Sequence, residues 1–322
     1  MYGEMMQYYS LIKDFSQADY FETDSFKKTL TSLETAILSG GIIALTGIVG
    51  IGKTTTLRRI QQSLKEGKQV IVSKALATDK RGVNINTLYT ALFSDLPTSK
   101  DFKIPKQPET RERTLQELIR KINKPITLFI DEAHELHWRT LIGLKHLVET
   151  VEDAKGTLAI VVVGHPKLSN ELQKPAMEEI GARIKFFNLD GLGQQKQQYI
   201  EWILDQCSHA KVTPSDILTQ EAIELLAERL ITPLQIIHYL SLALVKGLTT
   251  GTKPIDHEII ESVLSPELNT LEPKLARLGY SMTVLCEHLN ARRNEVKAYL
   301  KGQLAAGKTE DFNKEIHKLG IL

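Results

Sequence analysis

The stretch Gly47-Ile48-Val49-Gly50-Ile51-Gly52-Lys53-Thr54 constrains this chain more than any other, because it reads as a phosphate-binding loop. Before it, Gly41 to Thr46 (GIIALT) is a short apolar run rich in β-branched residues, and after it Leu57, Ile60 and Leu64 recur at helical spacing. Strand, glycine loop and helix follow in order. The glycines permit a backbone path that Cβ atoms would block, so successive N–H groups can point at a phosphate chain held at the helix N-terminus. In that arrangement the residues from Gly47 to Thr55 surround the phosphates of ATP, Lys53 reaches the terminal ones, and the Thr54 hydroxyl ligates Mg2+. A glycine-rich turn that matches the pattern by chance is the plainer alternative, and the flanking strand and helix weigh against it.

A second apolar run, Ile126 to Ile130, ends in adjacent carboxylates, Asp131 and Glu132. Following a phosphate loop at domain-scale distance, it reads as a Walker B element. Asp131 is expected in the Mg2+ shell and Glu132 as the general base that polarises the attacking water. A metal site built on His134 and His137 is the alternative, and two helix-face histidines the plainer one. Leu158 to Val163 reads as the next parallel strand, with Gly164-His165-Pro166 at its tip. His165 is then a candidate γ-phosphate sensor, although a histidine capping a turn would look the same. Arg183 precedes what reads as the last strand, Lys185 to Leu189, where an oligomer would present it to a neighbour's ATP.

The remaining sequence supplies scaffolding. Its 322 residues, 42% hydrophobic and 25% charged, are enough for a sizeable core in one large domain or two to three small ones. No apolar run approaches the roughly eighteen residues that a membrane span needs, and MYGEMMQYYS lacks the pattern of a signal peptide, so a cytoplasmic protein with no membrane partner is expected. Cys207 and Cys286 lack zinc-ligand spacing and read as free thiols. A net charge of +1 means that any nucleic-acid surface must be local. Phe26, Leu30, Leu33 and Ile37 predict a helix before the first strand. Just ahead of it, Tyr20 and Phe21 would either cover a nucleotide base or plug an apolar core. Gln69 to Ser73 reads as a strand and Ile85 to about Leu96 as a helix; Pro97 to Thr110, with three prolines, reads as a loop. Leu115, Leu118, Ile119 and Ile122 mark one more helix. From Gln194 to Lys246 the apolar stripes predict a run of amphipathic helices, with a short one near Ile259 to Leu264 and a boundary near Ser265-Pro266. Beyond it, Leu278 to Asn290 and Ala291 to Leu300 have the spacing of a small helix-turn-helix, with Arg292 and Arg293 opening its second helix toward phosphates or base edges. A protein-docking appendage with a solvated basic face is the equal alternative.

The succession SGGIIALTGIVGIGKTT, LFIDEAHEL, VVVGHPKL and GARIKFFNLDGL resembles the AAA+ ATPases of the ExeA/TnsC group, which includes transposition regulators related to the Mu B protein. The resemblance covers roughly residues 20 to 265. It implies an α/β fold, an AAA+ αβα sandwich with a parallel sheet and a small helical lid, followed here by a helical extension. The expected domains are 1–190, 191–265 and 266–322. The resemblance also implies ATP and Mg2+ as cofactors, nucleotide between subunits, and homo-oligomers that form rings or helical filaments. It puts Lys53 and Thr54 in the Walker A motif, Asp131 and Glu132 in the Walker B motif, His165 at the sensor-one position and Arg183 at the arginine finger. Where relatives have a Gly-x-Pro-Arg segment, this sequence reads Ile231-Thr232-Pro233-Leu234-Gln235, without a sensor-two arginine. The tail resembles the C-terminal extensions of transposon-encoded ATPases of the group. The implied function is ATP-dependent, sequence-tolerant binding of double-stranded DNA that recruits a transposase, with Lys80, Arg81, Lys100, Lys103 and Lys106 as phosphate contacts. An ExeA-type secretion ATPase, which would be expected to carry a membrane span or wall-binding domain, a clamp-loader or initiator-like DNA ATPase, and a non-enzymatic scaffold, which would require a dead site against which Lys53, Asp131 and Glu132 argue, are the rivals.

Overall fold

The computed structural model describes residues 2–68, 70–75, 83–98 and 102–321. In chain order the elements are helix α1 (Tyr2–Tyr8), helix α2 (Asp24–Ser39), strand β1 (Gly41–Thr46), helix α3 (Lys53–Gly67), strand β2 (Ile71–Lys74), helix α4 (Ile85–Asp95) and helix α5 (Pro108–Ile122). Strand β3 (Ile126–Ile130), helix α6 (Trp138–Asp153), strand β4 (Leu158–Gly164), helix α7 (Pro166–Leu172), helix α8 (Glu178–Gly181) and strand β5 (Ile184–Asn188) complete the sheet region. Eight helices then follow: α9 (Lys196–Cys207), α10 (Gln220–Arg229), α11 (Pro233–Thr250), α12 (His257–Val263), α13 (Leu271–Arg277), α14 (Met282–His288), α15 (Arg293–Leu300) and α16 (Ala306–Lys318).

Contacts divide the chain into two compact units. The first contains Lys28–Ile48, Lys53–Leu189 and the residues from Leu278 onward. Its sheet has the order β2-β3-β4-β1-β5, and every pairing is parallel. Parallel strands need crossovers, and the crossovers put helices on the sheet faces, so both faces are expected to be apolar. The burial obeys this. Ile42, Ala44, Leu128, Ile130, Ile160 and Val162 join the core formed with α4, α5, α6 and α7, while the alternate positions Ile43, Leu45, Phe129, Val161 and Val163 are buried as well. This is why β1, β3 and β4 read as continuous apolar runs.

The second unit contains the residues up to Lys27, Val49–Gly52 and Asp190–Arg277. Its core is helical, built on Ile200, Ile203, Leu226, Leu240, Leu244 and Ile260, with Met5 and Tyr9 of α1 among them. The Tyr9 hydroxyl donates to the Thr252 carbonyl at 2.8 Å. Phe21 packs against Tyr199 and Trp202, with ring centroids 5.6 and 5.4 Å away, and so serves as an apolar plug. Cys207 and Cys286 are free thiols.

Two local expectations change. The loop expected over Pro97–Thr110 ends early, because α5 starts at Pro108; proline lacks an N–H that the first helical turn would leave unused, and its fixed φ suits that position. The tail holds more helix than the two expected segments, since α13 precedes them and α16 follows. Tyr299 ties α15 to α16 by donating its hydroxyl to Asn313 Oδ1 at 2.6 Å. Leu128 lies fully buried at the centre of β3. Leu128→Ala is expected to cost about 2–5 kcal/mol through lost burial and a residual cavity, measured as a lower urea midpoint with an unchanged slope.

Candidate nucleotide site

Parallel strands present their carboxyl ends on one edge, where ligands of open α/β sheets bind. The order β3-β4-β1 makes three such ends neighbours. Thr46 pairs with Gly164 and Ile130 with Val162, so Gly47, Asp131 and His165 leave the sheet at nearly one level. The Gly47 N–H donates to the Gly164 carbonyl at 3.2 Å, fixing the start of the loop to the tip of β4. Gly50 and Gly52 take φ of 81° and 104°, values that favour glycine.

Lys53 opens α3 with only 7% of its surface exposed. Its Nζ donates to the Gly47 carbonyl at 2.9 Å and the Ile48 carbonyl at 3.1 Å. Burial lowers its pKa, and the nearby carboxylates of Glu132 and Asp131 pull it back up. The Thr54 hydroxyl donates to Asp131 Oδ2 at 3.5 Å. An alcohol oxygen beside a carboxylate oxygen is the hard, all-oxygen donor set that Mg2+ takes, so these two side chains fit the ion.

Asp131 Oδ1 accepts from the Glu132 N–H at 2.9 Å, and Glu132 itself adopts a left-handed conformation at φ 55°. Such strain costs of order ~1–3 kcal/mol and persists where the surroundings over-determine it. The turn puts Glu132 Oε2 4.0 Å from His165 Nε2 and 3.5 Å from His134 Nδ1, the latter without hydrogen-bond geometry. The two imidazoles stack, with centroids 3.9 Å apart and planes at 28°. Burial lowers the pKa of both. For His165 the fall reaches about 4, with His134, Lys53 and Lys167 adding to it. His165 is therefore neutral at physiological pH, able to donate from one nitrogen and accept at the other.

The alternative pairing of His134 with His137 gives way. His137 is exposed and caps α6, its Nδ1 accepting from the Arg139 N–H at 3.3 Å. Among the described residues, Glu132, His134 and His165 instead place possible ligand atoms within 4.8 Å of one another. Imidazole lone pairs lie in the ring planes, so two stacked rings do not aim both at one ion.

Arg183 is exposed just before β5, and its Nη1 donates to Glu149 of α6 at 2.9 Å. Lys103 and Lys106 are exposed between α4 and α5; Arg292 and Arg293 are exposed where α15 begins. Lys80, Arg81 and Lys100 lie outside the described residues. In the helical unit, Gln235 Oε1 accepts from the N–H groups of Ile231 and Thr232 at 2.9 and 3.2 Å, so the last residue of the segment that departs from the resembled pattern closes a helix cap. Two contacts escaped sequence reasoning. The Arg277 carbonyl accepts from the Val49 N–H at 3.0 Å, and no side-chain pattern marks a backbone acceptor. His134 becomes a partner of His165 only through the adjacency of β3 and β4.

Comparison with known proteins bears on the fold. Residues 37–172 match the family described as AAA domain. Over 152 residues the chain is 28% identical to general secretion pathway protein A of Aeromonas hydrophila, a match covering 45% of this chain and 26% of that protein, about a quarter of the relative's length. Among solved structures, the ORC2 protein of Aeropyrum pernix in ADPNP and ADP complexes aligns with a TM-score of 0.61 and 16% identity, over 95% of this chain and 84% of that one. The ORC1 protein of Aeropyrum pernix in complex with DNA aligns at 0.51 and 12% identity, over 91% and 83%. The fold is the α/β fold of AAA+ proteins. Members of the family described as AAA domain are typically ATPases; in this chain Lys53 lies past the end of β1, and Asp131 and Glu132 past the end of β3, on one edge of the sheet. Among the described residues no helix is long and apolar enough to cross a membrane.

The His165 pKa sets a pH dependence. Between pH 6.5 and about 4 the unfolded chain binds a proton that the folded chain refuses, so this contribution to stability is full above pH 6.5 and is lost as the pH falls toward 4. Urea denaturation at pH 7 and pH 5 is expected to show a smaller loss for His165→Gln than for the wild type.

Proposed function

We propose that this protein is an ATP-dependent, DNA-binding AAA+ regulator of transposition: ATP drives its assembly on duplex DNA, the assembly recruits or activates a transposase, and hydrolysis releases it. The observation that carries the ATPase part is the convergence of Lys53, Thr54, Asp131, Glu132 and His165 on one edge of three adjacent parallel strands. Lys53 holds the terminal phosphates. The Glu132 carboxylate takes the proton from a water whose oxygen attacks the γ-phosphorus as the bond to the β-phosphate oxygen breaks. His165, neutral and beside Glu132, orients water and phosphate by donating from one nitrogen. Thr54 and Asp131 would hold Mg2+, which when bound supplies neutralisation of phosphate charge. Arg183 of a neighbouring subunit leaves its exposed pairing with Glu149 for the adjoining γ-phosphate, a small loss because an exposed ion pair contributes little.

The motif order and the resemblance of the tail support the transposition role. Exposed Lys103, Lys106, Arg292 and Arg293 support a DNA surface, as does the likeness to an ORC1 protein whose structure contains DNA. An initiator-like DNA ATPase is the second reading, favoured by an alignment with ORC2 that extends over 95% of this chain. Sequence-independent binding by summed phosphate contacts would serve a target-capturing assembly, whereas an initiator would prefer particular DNA sites.

Glu132→Gln is expected to retain ATP binding and lose about a hundredfold or more in turnover, while Lys53→Ala weakens binding itself about tenfold or more. Fluorescent nucleotide titration and phosphate release separate the two. For DNA, filter binding of random-sequence duplex across a salt series is expected to require ATP, to vary little with sequence and to fall steeply as salt rises. A preference of about a hundredfold or more for one duplex sequence would favour the initiator reading, and absence of ATP-stimulated binding at low salt would remove both DNA readings.

A further inference from the structure

The residues from Leu278 onward do not hang from the sheet unit; they are fastened to the helix that follows the sensor strand. The Lys167 N–H, in the first turn of α7, donates to the Leu278 carbonyl at 3.2 Å. Asn170, one turn along, uses its Nδ2 twice, donating to the Tyr280 hydroxyl at 3.0 Å and to the Gly320 carbonyl at 3.0 Å. Tyr280 is 4% exposed. One side chain of α7 thus grips the extension at its first and last turns.

Between Leu278 and Tyr280 stands Gly279, with φ of 97°. A Cβ there would lie 2.8 Å from the Cβ of His165, 3.0 Å from its Nδ1 and 3.2 Å from its Cγ. No real Cβ tolerates such a distance, so the backbone of the extension touches the His165 side chain directly, and any residue other than glycine would push the ring. His134 stacks on the ring as well, with centroids 3.9 Å apart. His165 is the N-cap residue of α7, but its side chain makes no cap hydrogen bond, and its Nδ1 is buried without a partner, so packing rather than hydrogen bonding sets its rotamer.

We propose that the C-terminal extension is a positioning element of the nucleotide site, with Gly279 as the positioning residue that sets the imidazole of His165 against Glu132. This rests on the reading of His165 as the γ-phosphate sensor. Its consequence is that the extension governs turnover without touching nucleotide: removing or shifting it changes the orientation of His165 and hence kcat, while the phosphate loop continues to bind ATP.

Gly302 provides a matched control. It too takes a left-handed φ, 68°, within the extension, but a Cβ there would meet nothing within 4 Å. Imidazole 1H–15N spectra of the full chain, with His165 assigned through the signal lost in His165→Gln, are compared for Gly279→Ala, Gly302→Ala and Asn170→Ala. Gly279→Ala is expected to move the His165 signal and to lower kcat about tenfold, with KM for ATP held within about twofold. Gly302→Ala moves neither. Asn170→Ala, which adds no atom and releases both ends of the extension, moves the same signal and keeps the test open if Gly279→Ala fails to fold. A His165 signal unmoved in both Gly279→Ala and Asn170→Ala overturns the proposal, as does a moved signal with kcat equal to that of Gly302→Ala. A wild-type chain without ATP turnover, in which Gly279→Ala still moves the signal, leaves the positioning intact and refutes the ATPase reading instead.

Discussion

The buried ammonium of Lys53 is the interaction on which the arrangement depends. A charge at 7% exposure needs anionic company or dipoles to offset its lost hydration, and here two loop carbonyls provide the dipoles while Asp131 and Glu132 provide the charge. Those acids follow β3, two strand positions away from β1, a lateral separation of about 9.5 Å at ordinary sheet spacing. One strand intervenes between the loop and the acids. That strand is β4, and its tip is His165. The sheet order therefore spaces the charges and supplies the neutral group between them.

What the sequence made legible follows from how local each signal is. Strands β1, β3 and β4 could be read because a parallel strand covered on both faces must be a continuous apolar run, and the phosphate loop because its glycines and Lys53 are contiguous. Pro108 shows a local rule misapplied: proline breaks helix interiors but suits a first turn, so the loop read through it was too long. Phe21 was undecidable from sequence, since an aromatic residue ahead of a helix can cover a base or a core; Tyr199 and Trp202, far along the chain, decide it. The stacking of His134 on His165, the hold of Glu149 on Arg183 and the docking of Gly279 on His165 are likewise products of tertiary packing, to which no periodicity corresponds.

The segment Ile231 to Gln235 shows how a departure from pattern is absorbed structurally. Thr232 and Gln235 form a reciprocal cap at the start of α11, satisfying backbone donors that a helix N-terminus otherwise leaves open. Within that unit the Leu234 N–H donates to the Gly50 carbonyl at 3.3 Å.

The pairing of β1 carries a consequence for biosynthesis. This strand finds its partners only in β4 and β5, each more than a hundred residues further along the chain. At ordinary translation speeds the ribosome needs on the order of ten seconds to supply them. During that interval Ile42, Ile43 and Leu45 emerge as an apolar strand with two unpaired edges, the form of chain that aggregates most readily. The strand that lies between β4 and β5 in the finished sheet is thus the segment that a holdase chaperone would need to shield in the nascent chain.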